Sequence, residues 1–176
     1  MSTRSDMSPF WRCRGGLAAI GGTLICALFL VFLDVVVDGS YLFSALVCPI
    51  WFIVGVVRAV LRRPRLGVAA ARVLIPVVTG LFVVVNYSVQ RTIAMGNAER
   101  LIQACERYRE ANGVYPERLG ELVPRYLSAI PRAKYCCSWG EFRYLGAPPP
   151  LLIWYEVPPF GRRVYNFERG DWRYMD

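Results

Sequence analysis

Histidine is absent from the 176 residues of this chain. The chain therefore lacks the residue that most often serves as a general base and as a zinc ligand. Ser128 and Ser138 therefore have no histidine to activate them, and no glycine-rich phosphate loop is present. Glu106 and Glu110 are spaced for one helix face but are interleaved with arginines, which is typical of a solvated face rather than of a glycosidase pair. We expect no enzyme activity, no catalytic residue, no metal site and no cofactor.

Lysine and arginine are also absent from one of the two gaps that separate three apolar stretches. Arg12 and Arg14 precede the first stretch. The only charged residues between the first stretch and the second are Asp34 and Asp38. The second gap is instead rich in arginine, with Arg58, Arg62, Arg63 and Arg65. Because short loops rich in lysine and arginine stay in the cytoplasm, these six arginines predict a cytoplasmic N-terminus and an external C-terminal part.

Each apolar stretch is about long enough to cross a bilayer core. The predicted organisation is a cytoplasmic tail over 1–14, a membrane domain over 15–90 with transmembrane helices at about 15–36, 41–61 and 68–89, and a head over 91–176. No ionisable residue lies at mid-depth in any stretch, which disfavours a transporter or proton relay. A cleaved signal peptide is the alternative for the first stretch, but no small-residue cleavage site follows promptly, which favours retention.

The net charge of +8 is concentrated around the predicted membrane domain. With Arg4 and Arg72 included, the N-terminal tail and the second gap hold eight arginines against Asp6, whereas the head holds thirteen basic and ten acidic residues. The excess of positive charge therefore relates to topology and not to nucleic-acid binding. The expected partners are the lipid bilayer and a protein, and no nucleic acid.

The head is predicted to combine a long helix with a small antiparallel sheet, an α+β arrangement. Apolar residues continue at helical spacing from the third stretch to Ala111, and Asn112-Gly113 is a C-terminal stop. Short aromatic and β-branched runs follow at 141–145, 151–157, 162–167 and 172–174. Their aromatic side chains form either the core of the sheet or an exposed surface for a partner or a glycan.

A run of residues within this head has a distinctive order. It reads Ala-Cys-Glu-Arg-Tyr-Arg from Ala104, Gly-Val-Tyr-Pro from Gly113, and then Leu-Val-Pro, Tyr-Leu and Ile-Pro up to Pro131. This run resembles the head of a type II secretion pseudopilin, a family in which a long membrane-spanning helix carries a small periplasmic sheet. No prepilin leader precedes the third stretch, and two further stretches do. The resemblance implies a structural, pilin-like periplasmic head on a fixed three-helix anchor in the inner membrane of a Gram-negative bacterium.

Three of the six cysteines, Cys105, Cys136 and Cys137, fall in the predicted head. An oxidising outer compartment favours a disulfide, and an odd number leaves one thiol over. We expect Cys105 to bond Cys136 or Cys137, which closes a loop of about 31 residues and stabilises the head by roughly 3 kcal/mol. A vicinal redox pair of Cys136 and Cys137 is the alternative.

Two functions fit these predictions, and a third depends on the thiols. The first is a non-catalytic inner-membrane protein whose periplasmic head binds a partner protein in secretion or envelope assembly. The second is a membrane-anchored immunity-type protein that neutralises a toxin in the periplasm. The third is a thiol-redox protein that uses Cys136 and Cys137. The sequence leaves the oligomeric state open.

Overall fold

The computed structural model describes residues 9–37, 40–62, 66–158 and 160–175. The described elements are, in chain order, the helices α1 (Pro9–Val37), α2 (Ser40–Arg62) and α3 (Leu66–Asn112), a 3-10 turn (Leu119–Leu122), and the strands β1 (Arg143–Leu145), β2 (Leu151–Val157), β3 (Gly161–Asn166) and β4 (Asp171–Met175). The described residues divide into two compact units, the first drawn from 1–32 and 42–83 and the second from 33–41 and 84–176. The second unit contains the predicted head.

Two helices are long and apolar enough to cross a membrane. Leu42–Leu61 in α2 has a mean hydropathy of 2.1, and the most apolar window of α3 reaches 2.4. α1 has 29 residues, but its apolar part with described side chains, Ile20–Val36, has only 17, short of the roughly 20 that a bilayer core requires. The structure thus provides two of the three predicted spans, and the first remains a prediction.

α3 is one continuous helix of 47 residues, so the third apolar stretch and the helix of the head are the same element, as predicted. It ends at Asn112, where Gly113 takes a φ of +78° and donates its N–H to the carbonyl of Arg109 over 2.7 Å. A residue in this left-handed conformation satisfies carbonyls at the end of a helix, and glycine adopts it without steric cost.

The predicted antiparallel sheet is confirmed. Its four strands lie in the order β1-β2-β3-β4, and each neighbouring pair is antiparallel. Successive side chains of a strand point to opposite faces, and in β2 the buried ones are Leu152, Trp154 and Glu156. We call the face that bears them the inner face.

The inner face packs against α3 to form the core of the second unit. Leu152 and Phe167 pack with Ala98, Leu101 and Cys105 of α3 and with the leucines of the 3-10 turn. Trp154 packs in a smaller cluster with Ala94 and Ala133. Alanines on this side of α3 let the sheet approach the helix closely, because they fill little space between the two backbones.

Candidate functional site

The expected disulfide is absent, since none of Cys105, Cys136 and Cys137 is disulfide-bonded. The segment around Cys136 is held at the level of Gln90, whose side-chain oxygen accepts the N–H of Tyr135 over 3.1 Å. Cys105 lies fifteen residues further along α3, about 22 Å at 1.5 Å per residue. A disulfide requires Cα atoms within about 7 Å, so the expected bond to Cys136 or Cys137 does not agree with the fold.

The predicted topology-determining arginines are only partly described. Arg63 and Arg65 lie outside the described residues, and so do the side chains of Arg12, Arg14 and Arg62. Arg58 is exposed on α2. Asp38, in the predicted turn after the first span, also lies outside the described residues.

Acidic residues of the head take part in ion pairs and hydrogen bonds on the helix surface. Glu106 forms an ion pair with Arg109 over 2.8 Å. It also accepts a hydrogen bond from the hydroxyl of Tyr115, again over 2.8 Å. Burial, followed by the hydrogen bond to Glu106, raises the pKa of Tyr115 to about 12. Burial and the neighbouring Glu106 likewise raise the pKa of Cys105 to about 12, so this thiol stays protonated and unreactive at physiological pH.

Glu156 is the centre of a buried ionic cluster. Its side chain is 5% exposed and forms an ion pair with Arg91 of α3 over 2.6 Å. Arg163 of β3 donates its Nε to the other carboxylate oxygen, and the hydroxyl of Tyr87 donates to the carboxylate over 3.2 Å. Because a charge is buried only when it is paired and hydrogen-bonded, these contacts join α3 to two strands at one position.

Lys134, the single lysine of the chain, belongs to the same cluster. It is 1% exposed, donates to the main-chain carbonyl of Glu156 over 2.9 Å, and lies 5.7 Å from the ring centroid of Trp154. Lysine is almost never fully buried unless it has partners. The Glu156 cluster, which comprises Tyr87, Arg91, Lys134, Glu156 and Arg163, therefore fixes the segment before β1 on the sheet and helix.

A pocket of about 340 Å³ opens beside this segment, and we call it the loop pocket. Arg132, Glu141 and Arg143 supply its charges, Trp139 and Tyr155 its aromatic surfaces, and Cys137 and Ser138 further polar groups. The rings of Trp139 and Tyr155 lie 4.7 Å apart between centroids. Among the described residues, Arg132 and Arg143 form no ion pair. Two guanidinium groups in the lining are thus available to an anionic ligand.

The outer face of the sheet carries a row of four residues, one from each strand. The register pairs Arg143 with Ile153, Ile153 with Val164, and Val164 with Arg173. In the next row Tyr155 pairs with Arg162 and Arg162 with Met175. The outer face therefore has an apolar centre with arginines around it, and neither of the described core clusters includes one of its side chains.

The sequence left an exposed aromatic surface on the strands open as an alternative, but it did not identify the residues of the loop pocket or of the outer face. Arg132 and Trp139 carried no signal, because the segment 131–142 has no periodic pattern. Ile153 and Tyr155 alternate with buried residues along β2, and this alternation identifies their face of the strand but not the residues that lie beside them on the neighbouring strands. The described residues contain no group of three or more His, Cys, Asp or Glu side chains that could hold a metal ion.

Comparison with known proteins does not place the chain in a family. No protein-family model, curated protein or solved structure matches it. The similarity to pseudopilin heads accordingly remains a prediction from residues 104–131.

Proposed function

We propose that this chain is a non-catalytic, membrane-anchored protein whose head binds a partner protein through the outer face of its sheet. α1, α2 and α3 form the anchor, with the N-terminus in the cytoplasm and the head in the periplasm of a bacterial inner membrane. The apolar lengths of α2 and α3 support the anchor, and the arginine distribution supports its orientation.

The outer face is the observation that carries the proposal. Its apolar centre contains Ile153, Tyr155 and Val164, and the first two are half-buried. Val164, between Ile153 and Arg173 in the register, is only 6% exposed. Removing the half-buried side chains of Ile153 and Tyr155 from water is the favourable term that protein association requires.

The charge of the outer face indicates the kind of partner. Arg143, Arg162 and Arg173 are exposed, and Asp171, which pairs with Arg173 over a long 3.5 Å, is the one acidic residue among the outward-facing strand positions described. Arginine and tyrosine are enriched in protein interfaces. A complementary partner has an apolar patch within an acidic rim, which accelerates association and excludes basic surfaces.

Site-specific crosslinking in intact cells tests this proposal. A photoreactive amino acid placed at Arg173 or Met175 on the outer face is expected to give one discrete adduct. The same probe at the exposed residues Arg107 and Glu168, which lie elsewhere on the head, is expected to give none.

A charge reversal provides the second arm. R162E is expected to reduce the adduct formed from position 173, whereas R107E makes the same charge change away from the outer face and is expected to leave it intact. Equal adducts from all four probe positions, or no adduct from the outer face, would overturn the proposal.

A further inference from the structure

We infer that the loop pocket binds the phosphodiester headgroup of an anionic membrane lipid. The inference rests on the proposed membrane anchor and does not require the proposed protein partner, although Arg143 and Tyr155 belong both to the loop pocket and to the outer face. Three observations carry it: the position of the pocket along the apolar helices, its charge, and its aromatic lining.

The loop that forms the pocket is attached where the exposed apolar surface of two helices ends. On α1 the last exposed large hydrophobic residue with a described side chain is Val35, and on α3 it is Val89. Cys137 donates its N–H to the carbonyl of Val36 over 3.0 Å, and Tyr135 donates to Gln90. If the apolar parts lie in a bilayer, the pocket is therefore at the level of the lipid headgroups.

The charges of the lining fit a phosphodiester better than a free phosphate. Arg132 and Arg143 contribute two positive charges and Glu141 one negative charge. The remaining single positive charge matches a monoanionic phosphodiester, whereas a phosphate monoester carries close to two negative charges at neutral pH. Guanidinium groups bind phosphate oxygens with paired, directional hydrogen bonds.

The aromatic lining and the size of the pocket agree with this position. Tryptophan and tyrosine are enriched at membrane–water interfaces, and Trp139 and Tyr155 form adjacent walls of the pocket. Its volume of about 340 Å³ is at the small end of the range for ligand sites. It has room for a headgroup, while the acyl chains stay in the bilayer.

Native mass spectrometry of the full chain in a neutral detergent tests the inference, with dioctanoyl phosphatidylglycerol and dioctanoyl phosphatidylcholine as probes. We expect one phosphatidylglycerol to bind in preference to phosphatidylcholine. R132Q/R143Q is expected to weaken this binding about 25-fold, because each arginine near an anionic lipid surface contributes a factor of about five.

A matched variant and a second readout locate the bound lipid. R107Q/R169Q removes the same charge from exposed positions outside the pocket and is expected to leave binding unchanged. Phosphatidylglycerol, but not phosphatidylcholine, is expected to slow the alkylation of Cys137, an exposed thiol that lines the pocket.

Each contrary result has a distinct meaning. Equal binding of the two lipids, or equal losses in the two double variants, would overturn the inference. Equally tight binding of sn-glycerol 3-phosphate would assign the pocket to a soluble anion, and tighter binding of a polyglutamate peptide would assign it to a protein segment. Release of the chain from membranes by alkaline carbonate would instead overturn the anchor itself, and with it the proposed function.

Discussion

The carboxylate of Glu156 compensates the positive charges of Arg91 and Arg163, and one substitution would remove it. In E156Q the carboxylate is lost while Arg91 and Arg163 stay in place, and a buried ion pair that loses one partner costs about 3–5 kcal/mol. Arg91 is 48% exposed and Arg163 26% exposed, so water offsets part of this penalty. We expect the variant to lower the free energy of unfolding of the head by about 3 kcal/mol.

Denaturant unfolding followed by near-ultraviolet circular dichroism measures this loss. E99Q is the matched control, because Glu99 is exposed on α3, the helix that carries Arg91, and its loss is expected to change stability by less than about 0.5 kcal/mol. Equal stabilities of E156Q and E99Q would show that the Glu156 cluster does not hold the sheet on the helix.

The buried thiol of Cys105 makes the stability of the head depend on alkaline pH. Its pKa is raised from 9.0 to about 12 in the folded head, so the folded state retains a proton that the unfolded chain releases. The resulting stability is present in full below pH 9 and is lost as the pH rises from about 9 to about 12. Each such proton contributes a slope of about 1.4 kcal/mol per pH unit.

C105A is expected to reduce the fall in stability between pH 8 and 10, because the proton that Cys105 keeps in the folded head is no longer involved. Tyr108, Tyr115, Tyr144 and Tyr165, whose pKa values are also raised in the folded head, contribute to the remaining slope in both chains. Urea unfolding at pH 8, 9 and 10 measures this slope for both chains. The substitution also lowers stability at pH 8, so the slope and not the absolute value is the test. An unchanged slope in C105A would mean that Cys105 does not titrate with unfolding.

At the scale of elements, two glycines have opposite roles. A Cβ atom at Gly140 would lie 2.5 Å from the carbonyl oxygen of Lys134 and 2.9 Å from that of Cys136. The carbonyl of Gly140 also accepts the N–H of Ala133 over 2.8 Å. Because the obstructing atoms belong to the main chain, G140A is expected to destabilise the head by about 1–3 kcal/mol and to displace Lys134 from the Glu156 cluster.

G96A is the contrasting change, since no atom lies within 4 Å of the corresponding Cβ position in the exposed face of α3. Alanine in a helix interior is favoured over glycine by up to about 1 kcal/mol, so we expect G96A to be neutral or stabilising. Thermal unfolding of the two variants in parallel distinguishes the effects. A destabilising G96A would indicate that α3 bends or binds at this glycine.

Regular elements were predictable because periodic patterns set them. The helical spacing up to Ala111 and the stop at Asn112-Gly113 predict the C-terminal end of α3 to the residue, and the alternation over 151–157 predicts β2. The segment 131–142 has no such repeat, and two hydrogen bonds, to Gln90 and Val36, set its position. For the same reason the expected disulfide of Cys105 was wrong, since spacing along the chain does not show which turn of α3 the segment 131–142 contacts.

The outer face was beyond sequence reasoning for a different reason. Arg143, Ile153, Val164 and Arg173 come from four strands, and only the register brings them into one row. A shift of one residue in any strand would turn its side chains to the other face. A basic, apolar surface of this kind is therefore a property of the assembled sheet and not of any one segment.

For the whole molecule, the proposed function depends on which side of the membrane the head occupies. The arginines of the second gap provide the main cytoplasmic signal, and R58Q/R62Q/R63Q/R65Q removes four of these five arginines while the apolar stretches and Arg72 are kept. Because orientation follows the distribution of lysine and arginine near the spans, we expect at least about half of the chains to lose the external position of the head.

Labelling of an introduced cysteine measures this orientation. E168C in a C137S background places a thiol at an exposed position of the turn between β3 and β4, away from the loop pocket. A thiol reagent that cannot cross the inner membrane is expected to label it in intact cells. Labelling is expected to fall in the fourfold variant, and R107Q/R118Q/R125Q/R169Q removes equal charge from the head and is expected to leave it unchanged.

The labelling of E168C in the chain that keeps all its arginines shows first on which side of the membrane the head lies. If E168C is labelled only after lysis, the head lies in the cytoplasm, and the outer face cannot meet a periplasmic partner. If it is labelled in intact cells and both fourfold variants behave alike, the head is external, but the arginines of the second gap do not place it there. Loss of labelling in the second-gap variant alone ties the charge pattern of the sequence to the compartment in which the outer face and the loop pocket act.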